Sequence, residues 1–90
     1  MRSARDLYGH YRSLLFGLAR SAPTNANWPL ALDAIIAALR GDLAELDAAN
    51  TRWLKDELCE QLEFGASDMT NPGAAREAFR AALKRIETIS

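Results

Sequence analysis

The amino-acid sequence predicts an all-α fold, a small bundle of four helices. Its 90 residues include 17 Ala and 13 Leu, which are among the strongest helix formers. The chain has no Val, and only four Ile and four Thr supply the β-branched side chains that suit a sheet. Apolar residues recur at helical spacing in four segments, which polar, loop-forming runs separate. A chain of this length is typical of one domain, so we expect residues 1–90 to form a single helical domain.

The first predicted helix covers residues 3–20. Ser3 is followed three residues later by Asp6, the spacing of a capping box, which satisfies the free amide groups of a first helical turn. The apolar side chains that follow lie within about 80° of one another on a helix wheel, so they define the face expected to enter the core. This stripe consists of Leu7, Tyr11, Leu14, Leu15 and Leu18.

The second predicted helix covers residues 28–40. Asn27 is a good N-cap residue, and Pro29 is tolerated in a first turn because the amide that it lacks would have no partner there. Both features place the start of the helix at Trp28. The residues expected to face the core are Trp28, Leu32, Ile35, Ile36 and Leu39.

The connection after this helix is open to two interpretations. Gly41 followed by Asp42 is typical of a helix that ends at a glycine and of a new helix that begins at an acidic N-cap. The apolar pattern nevertheless continues in register, which indicates one helix over residues 28–64. Such a helix would be about 55 Å long, a length that suits an intertwined dimer. We favour the break at Gly41 and Asp42, with the third helix over residues 43–64.

The third predicted helix has two apolar seams. One seam consists of Leu46, Trp53 and Phe64, and the other of Leu54, Leu58 and Leu62. Because the seams lie roughly 100° apart, we expect this helix to contact two neighbours and to form the centre of the fold.

The last predicted helix covers residues 72–89. Asn71 followed by Pro72 is typical of an N-cap and a first helical position. The inner face of this helix consists of Ala75, Phe79, Ala82, Leu83 and Ile86. The small alanines on that face allow neighbouring helices to approach closely.

Charge is distributed unevenly along the chain. The 11 basic and 12 acidic residues give a net charge of −1. Residues 1–20 carry +3 and residues 71–90 carry +2, whereas residues 21–50 and 51–70 carry −3 each. This segregation favours packing of the terminal helices beside the central ones. The overall balance does not favour nucleic acid or anionic membranes, because proteins that bind them usually carry a clear basic excess.

Catalytic and cofactor motifs are missing from the sequence. Cys59 is the one cysteine and His10 the one histidine, so no internal disulfide is possible, no Cys/His metal-ligand spacing occurs, and a metal site would need nearly all carboxylate ligands. No glycine-rich phosphate loop or nucleophile elbow occurs. The longest apolar runs have six residues, too few for a signal core or a membrane span. We therefore expect no enzymatic activity, no metal, no cofactor and no membrane association, and a cytoplasmic protein.

A candidate interaction surface lies on the first helix, opposite its core-facing stripe. Phe16 projects about 180° from Leu7 on the helix wheel. An aromatic ring among arginines is the composition of interface hot spots, and helical glycines, here Gly9 and Gly17, let another backbone approach closely. The residues that share this face with Phe16 are Arg5, Gly9, Arg12 and Arg20, and further partner-binding anchors are Tyr8, Trp53 and Phe64. The alternative is that Phe16 packs between two layers of the bundle or of a dimer.

These observations predict a non-enzymatic protein that binds another protein. It would act as a small helical adaptor, chaperone or inhibitor that covers a partner surface, and a homodimer would enlarge its small core. The alternative function is nucleic-acid binding through the basic terminal helices. Nine Arg against two Lys, with abundant Ala, also indicates a GC-rich coding sequence and hence a bacterial or phage source.

Overall fold

A computed structural model describes residues 2–89 and confirms the small all-α four-helix bundle. The described chain contains no strand. Its four helices are α1 (Ala4–Ser21), α2 (Trp28–Leu43), α3 (Ala48–Ser67) and α4 (Gly73–Glu87). The radius of gyration is 12.6 Å, close to the value expected of a folded chain of this length.

The capping box and most of the core stripe of α1 are confirmed. The Asp6 amide donates to Ser3 Oγ at 3.1 Å, and the Ser3 amide donates to Asp6 Oδ2 at 3.4 Å. All members of the predicted stripe are buried except Leu14, which is 39% exposed. The buried sector of α1 extends toward Ala19, so Leu14 lies at its edge and its assignment to the core was wrong.

The chain breaks between α2 and α3, but not at Gly41. Helix α2 continues through Gly41 to Leu43, and no glycine among residues 2–89 adopts the positive φ that favours glycine at a helix end. Residues 44–47 form the connection. A break is therefore confirmed, its predicted position is wrong, and the continuous helix over residues 28–64 does not form.

Tertiary contacts explain why the break is displaced. The Asp42 carboxylate accepts a hydrogen bond from the buried Tyr11 hydroxyl, so Asp42 lies inside α2 as a partner of α1 and does not cap the next helix. Asp47 caps α3 instead, because its side chain accepts from the Asn50 amide at 2.7 Å. Both aspartates are followed three residues later by a polar side chain, so the local pattern does not distinguish them.

The predicted caps of α2 and α4 differ from the observed ones in detail. Asn27 occupies the N-cap position of α2 without a side-chain capping hydrogen bond. Pro72, and not Asn71, is the N-cap of α4. The Asn71 side chain donates instead to the Gly65 carbonyl at 2.9 Å, which ties the α3–α4 loop to the end of α3.

Helices α1 and α4 form the centre of the bundle, in contrast to the prediction for the third helix. Each packs against the other three helices, whereas α2 and α3 lie on opposite sides of the pair and barely meet. Only the seam of α3 that contains Leu54, Leu58 and Leu62 is buried. Because α2 does not cover the second seam, Trp53 and Phe64 remain exposed.

Side-chain contacts show the direction of the helices. They also join α1 and α4, which lie at the two ends of the chain, to α3 and α2. Tyr8 of α1 contacts Trp53 of α3, and further along both helices Arg12 donates to Gln61, so these two helices run parallel. The Lys55 ammonium group donates to the Ile89 carbonyl, so α3 and α4 run antiparallel. Arg85 on α4 pairs with Asp33 on α2. The charge pattern did not predict that the two basic helices also pack on each other.

All four helices contribute to one continuous core. Leu39, Leu54 and Ile86 are completely buried within it. No charged residue among residues 2–89 is buried, and no buried side-chain nitrogen or oxygen in that range lacks a hydrogen-bond partner. None of the four helices is both long and apolar enough to cross a membrane.

Candidate functional site

The structure divides the predicted partner-binding residues between two ends of α1. Near the carboxyl end of α1, the residues that line one groove include Arg12, Phe16, Arg20 and Phe64. Near its amino end lie Arg5, Tyr8 and Trp53. Gly9 is exposed between the two groups. The helix wheel places Arg5, Gly9, Arg12, Phe16 and Arg20 on one face of the first helix, and the structure spreads them along the helix axis.

The groove has a volume of about 490 Å³ and lies where three helices meet. Residues from the carboxyl-terminal half of α1, the end of α3 and the start of α4 line it. All three phenylalanines of the chain, Phe16, Phe64 and Phe79, contribute to it. We call it the Phe groove. Its apolar side chains are therefore contributed by segments that are distant in the sequence.

Phe16 and Phe79 form the interior of the Phe groove. Their rings meet edge to face, with centroids 4.9 Å apart and planes at 69°, the geometry that aromatic pairs prefer. Phe79 is buried, and Phe16 is half-buried. Phe16 thus packs within the bundle and still lines the groove, which combines the two interpretations of this residue.

Gly65 is the glycine that allows a close approach in this fold. A Cβ atom at this position would lie 2.7 Å from atoms of the Phe79 ring, far inside van der Waals contact. At Gly9 and Gly17 a Cβ atom would have no neighbour within 4 Å, so no other part of the described chain packs closely there, and a close approach of a partner backbone stays a prediction. No sequence pattern singled out Gly65, which follows the predicted end of the third helix at residue 64 and lies inside the observed α3.

Arg12 covers the outer side of the Phe16 ring. Its guanidinium carbon lies 4.3 Å from the ring centroid, within the range of a cation–π interaction. The Nε–H group of Arg12 donates to Gln61 Oε1 on α3 at 3.1 Å. This pair of contacts holds Arg12 across the α1–α3 boundary and keeps its positive charge at the edge of the groove.

The rim of the Phe groove carries one exposed ring and charges of both signs. Phe64 is 64% exposed. Arg20 is exposed one helical turn beyond Phe16, and within residues 2–89 neither Arg20 nor Arg12 forms an ion pair. On the opposite side, hydrogen bonds from the Thr70 hydroxyl and amide hold the pKa of Asp68 below its usual range, so this carboxylate is ionised at neutral pH.

The residues near the amino end of α1 form a smaller aromatic patch. The Tyr8 and Trp53 rings lie 5.9 Å apart at 58°. Arg5 and Trp53 line a hollow of about 440 Å³ together with Asp47 and Asn50. This hollow contains as much polar as apolar surface, because it lies over the capped start of α3. It therefore offers a partner less apolar contact than the Phe groove does.

The remaining titratable groups do not extend the site. Burial, followed by the nearby Glu87 and Asp56 carboxylates, raises the pKa of the Cys59 thiol to about 11, and a protonated thiol is a poor nucleophile. The exposed His10 ring meets the Tyr11 ring edge-on, with centroids 4.9 Å apart. Across residues 2–89, no group of three or more potential ligand side chains could hold a metal ion.

The chemistry of the Phe groove suits the binding of a surface that is apolar and negatively charged. Aromatic rings supply the apolar contact, and two guanidinium groups supply positive charge on the α1 side. No protein-family model matches the chain, and comparison with curated proteins and with solved structures finds no match either.

Proposed function

We propose that this protein is a non-enzymatic interaction protein that binds a partner protein in the Phe groove. The observation that carries the proposal is the exposed Phe64 ring beside an apolar groove whose edge holds two arginines that form no ion pair with the described residues 2–89. Aromatic and arginine side chains are enriched among the residues that dominate binding energy. The protein would act as an adaptor, chaperone or inhibitor by covering the partner segment that occupies the groove.

The energetics support binding at this location. Burying one large apolar side chain stabilises a complex by about 1.5–3 kcal/mol, and most of the Phe64 ring is accessible for this purpose. Phe16 is held between the Arg12 guanidinium group and the Phe79 ring. Because these side chains are ordered before binding, little conformational entropy is lost when a partner docks.

Site-specific photo-crosslinking tests the proposal. A photoreactive amino acid replaces Phe64 in one variant and Lys84, on the outer face of α4, in another. In extracts of the source organism we expect Phe64 to yield a protein adduct and Lys84 to yield none. Nucleic-acid adducts at Lys84 would support the alternative function, in which the basic terminal helices bind nucleic acid. No protein adduct at Phe64 would contradict the proposal.

Affinity measurements on the captured protein complete the test. We expect Phe64→Ala to weaken binding at least about tenfold, which corresponds to 1.4 kcal/mol. Met69→Ala is the matched control, because Met69 is even more exposed, at 77%, but does not line the groove. Equal affinity of the Phe64 and Met69 variants would show that the captured protein does not use the groove.

We further propose that the protein forms a homodimer through the outer face of α2. The exposed apolar residues on this face are Leu30, Ala31, Ala34, Ala37 and Ala38. Asp33, whose carboxylate also pairs with Arg85 of its own chain, and Arg40 lie on the same flank, two turns apart. In an antiparallel pair of α2 helices, each Asp33 would therefore lie near the partner's Arg40. This complementarity supports a second copy of the chain as the occupant of the face.

A further inference from the structure

The shape of the Phe groove favours a helical occupant. On one side Arg12, Phe16 and Arg20 follow one another at intervals of four residues, so they line about two turns of α1, or about 12 Å. The α3 residues on the other side, Gln61, Phe64 and Gly65, span about one turn. An added β-strand would need free backbone donors and acceptors, which these helical walls do not offer because their amides and carbonyls are paired within the helices. A groove between helices is the surface that amphipathic helices occupy.

The charges at the groove indicate the flanks of that helix. Arg12 and Arg20 are two turns apart on α1 and face the same groove. Arg12 uses its Nε–H group to bind Gln61, and its η nitrogens make no hydrogen bond with residues 2–89. Asp68 carries negative charge on the α3 side. A helix with carboxylates on the flank next to α1 would therefore pair with both arginines, whereas a basic flank there would be repelled.

The apolar contact indicates the face between those flanks. Phe64 and the Phe16–Phe79 ring pair line one space of about 490 Å³, which is in the range of a pocket for a compact ligand. Such a pocket accommodates a few apolar side chains, not a long apolar stripe. One large apolar anchor, with a second one turn away, fits between the ring of Phe64 and the Phe16–Phe79 pair.

We infer that the Phe groove binds an amphipathic helix of a partner protein whose apolar anchor is flanked, on one side, by acidic residues two turns apart. This inference rests on the proposed function and specifies the chemistry of the partner. In this arrangement Phe64 contacts the apolar anchor of the partner helix, and Arg12 and Arg20 pair with its acidic flank. The carboxylate spacing of the ligand follows from the eight-residue separation of the arginines along α1.

Designed peptides of about 16 residues, long enough to populate a helix, test the inference by fluorescence anisotropy. One peptide carries Leu anchors one turn apart and Glu at two flanking positions eight residues apart, and a second carries Lys at those two positions. We expect the wild-type protein to bind the Glu peptide at least tenfold more tightly than the Lys peptide. We expect Arg20→Glu to reduce this preference at least tenfold. Arg80→Glu is the control, because it makes the same change in net charge on an exposed residue outside the groove.

The outcomes separate this inference from the proposed function. Equal binding of both peptides, binding of neither, or the same preference in the Arg20 and Arg80 variants would overturn the acidic-helix inference. A protein adduct at Phe64 would still support the proposed function in each of these cases. Binding of a single-stranded oligonucleotide that Phe64→Ala abolishes, or self-association that this substitution abolishes, would assign the groove to a different occupant and would likewise overturn the inference.

Discussion

Because Gly65 contacts Phe79, we predict that replacing this glycine by alanine destabilises the protein. The same replacement at an ordinary helical glycine stabilises it. Replacing Gly65 by Ala adds a methyl group 2.7 Å from three atoms of the Phe79 ring. The ring has no free space beside it, because Phe79 is only 4% exposed and the Phe16 ring centroid lies 4.9 Å away. The Phe79 ring must therefore move into the surrounding core.

The expected magnitude follows from two opposing effects. Overpacking a core costs about 1–3 kcal/mol, whereas Ala favours a helix over Gly by about 1 kcal/mol. We expect Gly65→Ala to lower the free energy of unfolding by about 1 kcal/mol, which lowers the Tm of a domain of this size by about 4–8 °C. Gly17→Ala, where the added methyl group has no neighbour within 4 Å, should instead raise the Tm by a similar amount.

Urea unfolding and thermal unfolding, both followed by circular dichroism, provide the measurement. The difference between the two variants isolates the cost of the Phe79 contact, because both gain the same helix propensity. NMR resonances of the Phe16 ring should shift in the Gly65 variant and stay unchanged in the Gly17 variant. Equal stabilisation by both substitutions would refute the reasoning, since it would show that Phe79 does not pack against the α3 backbone.

Two further predictions concern the contact between α1 and α2 and the outer face of α2. Tyr11→Phe removes the hydroxyl that donates to Asp42 and should lower stability at pH 7 by about 1–2 kcal/mol. Burial, and then the bond to Asp42, raises the pKa of Tyr11, so the native state favours the protonated phenol. The wild type should lose stability as the pH rises above about 10, and urea titrations should show a smaller loss for the variant; parallel pH profiles would contradict this linkage. Light scattering should give twice the monomer mass for the wild type and the monomer mass for Leu30→Glu. Met69→Glu, a change at an exposed residue outside α2, is the control and should stay dimeric. A monomeric wild type would refute the proposed dimer.

The helices themselves could be predicted because their determinants are local. The Ser3–Asp6 capping box, the apolar spacing of α1 and the proline near the start of α2 act within one or two turns. Each predicted helix accordingly overlaps an observed one. The ends were less predictable where two local signals compete, as at Asp42 and Asp47. A hydrogen bond to Tyr11, 31 residues away in the sequence, places Asp42 inside α2.

The candidate site could be predicted only in part. An aromatic ring among arginines on one helix face was visible in the sequence, and Arg12, Phe16 and Arg20 do line one groove. Phe79 was assigned to the core and not to a site. Helical spacing shows that an apolar residue faces inward, but it does not show which ring that residue meets. Trp53 lies beside Tyr8 and Phe64 lies in the groove with Phe16 because α1 and α3 run parallel, an arrangement that no local pattern encodes.

By itself, the sequence determined the all-α class, the number of helices, the capped start of α1 and most of the inner faces of the helices, because each depends on residues a few positions apart. The tertiary structure alone decided that α1 and α4 form the centre, that Gly65 admits Phe79, and that the three phenylalanines meet in one groove. These features arise from contacts between residues far apart in the chain. Local helix propensity does not specify such contacts, because they depend on how the helices pack against one another.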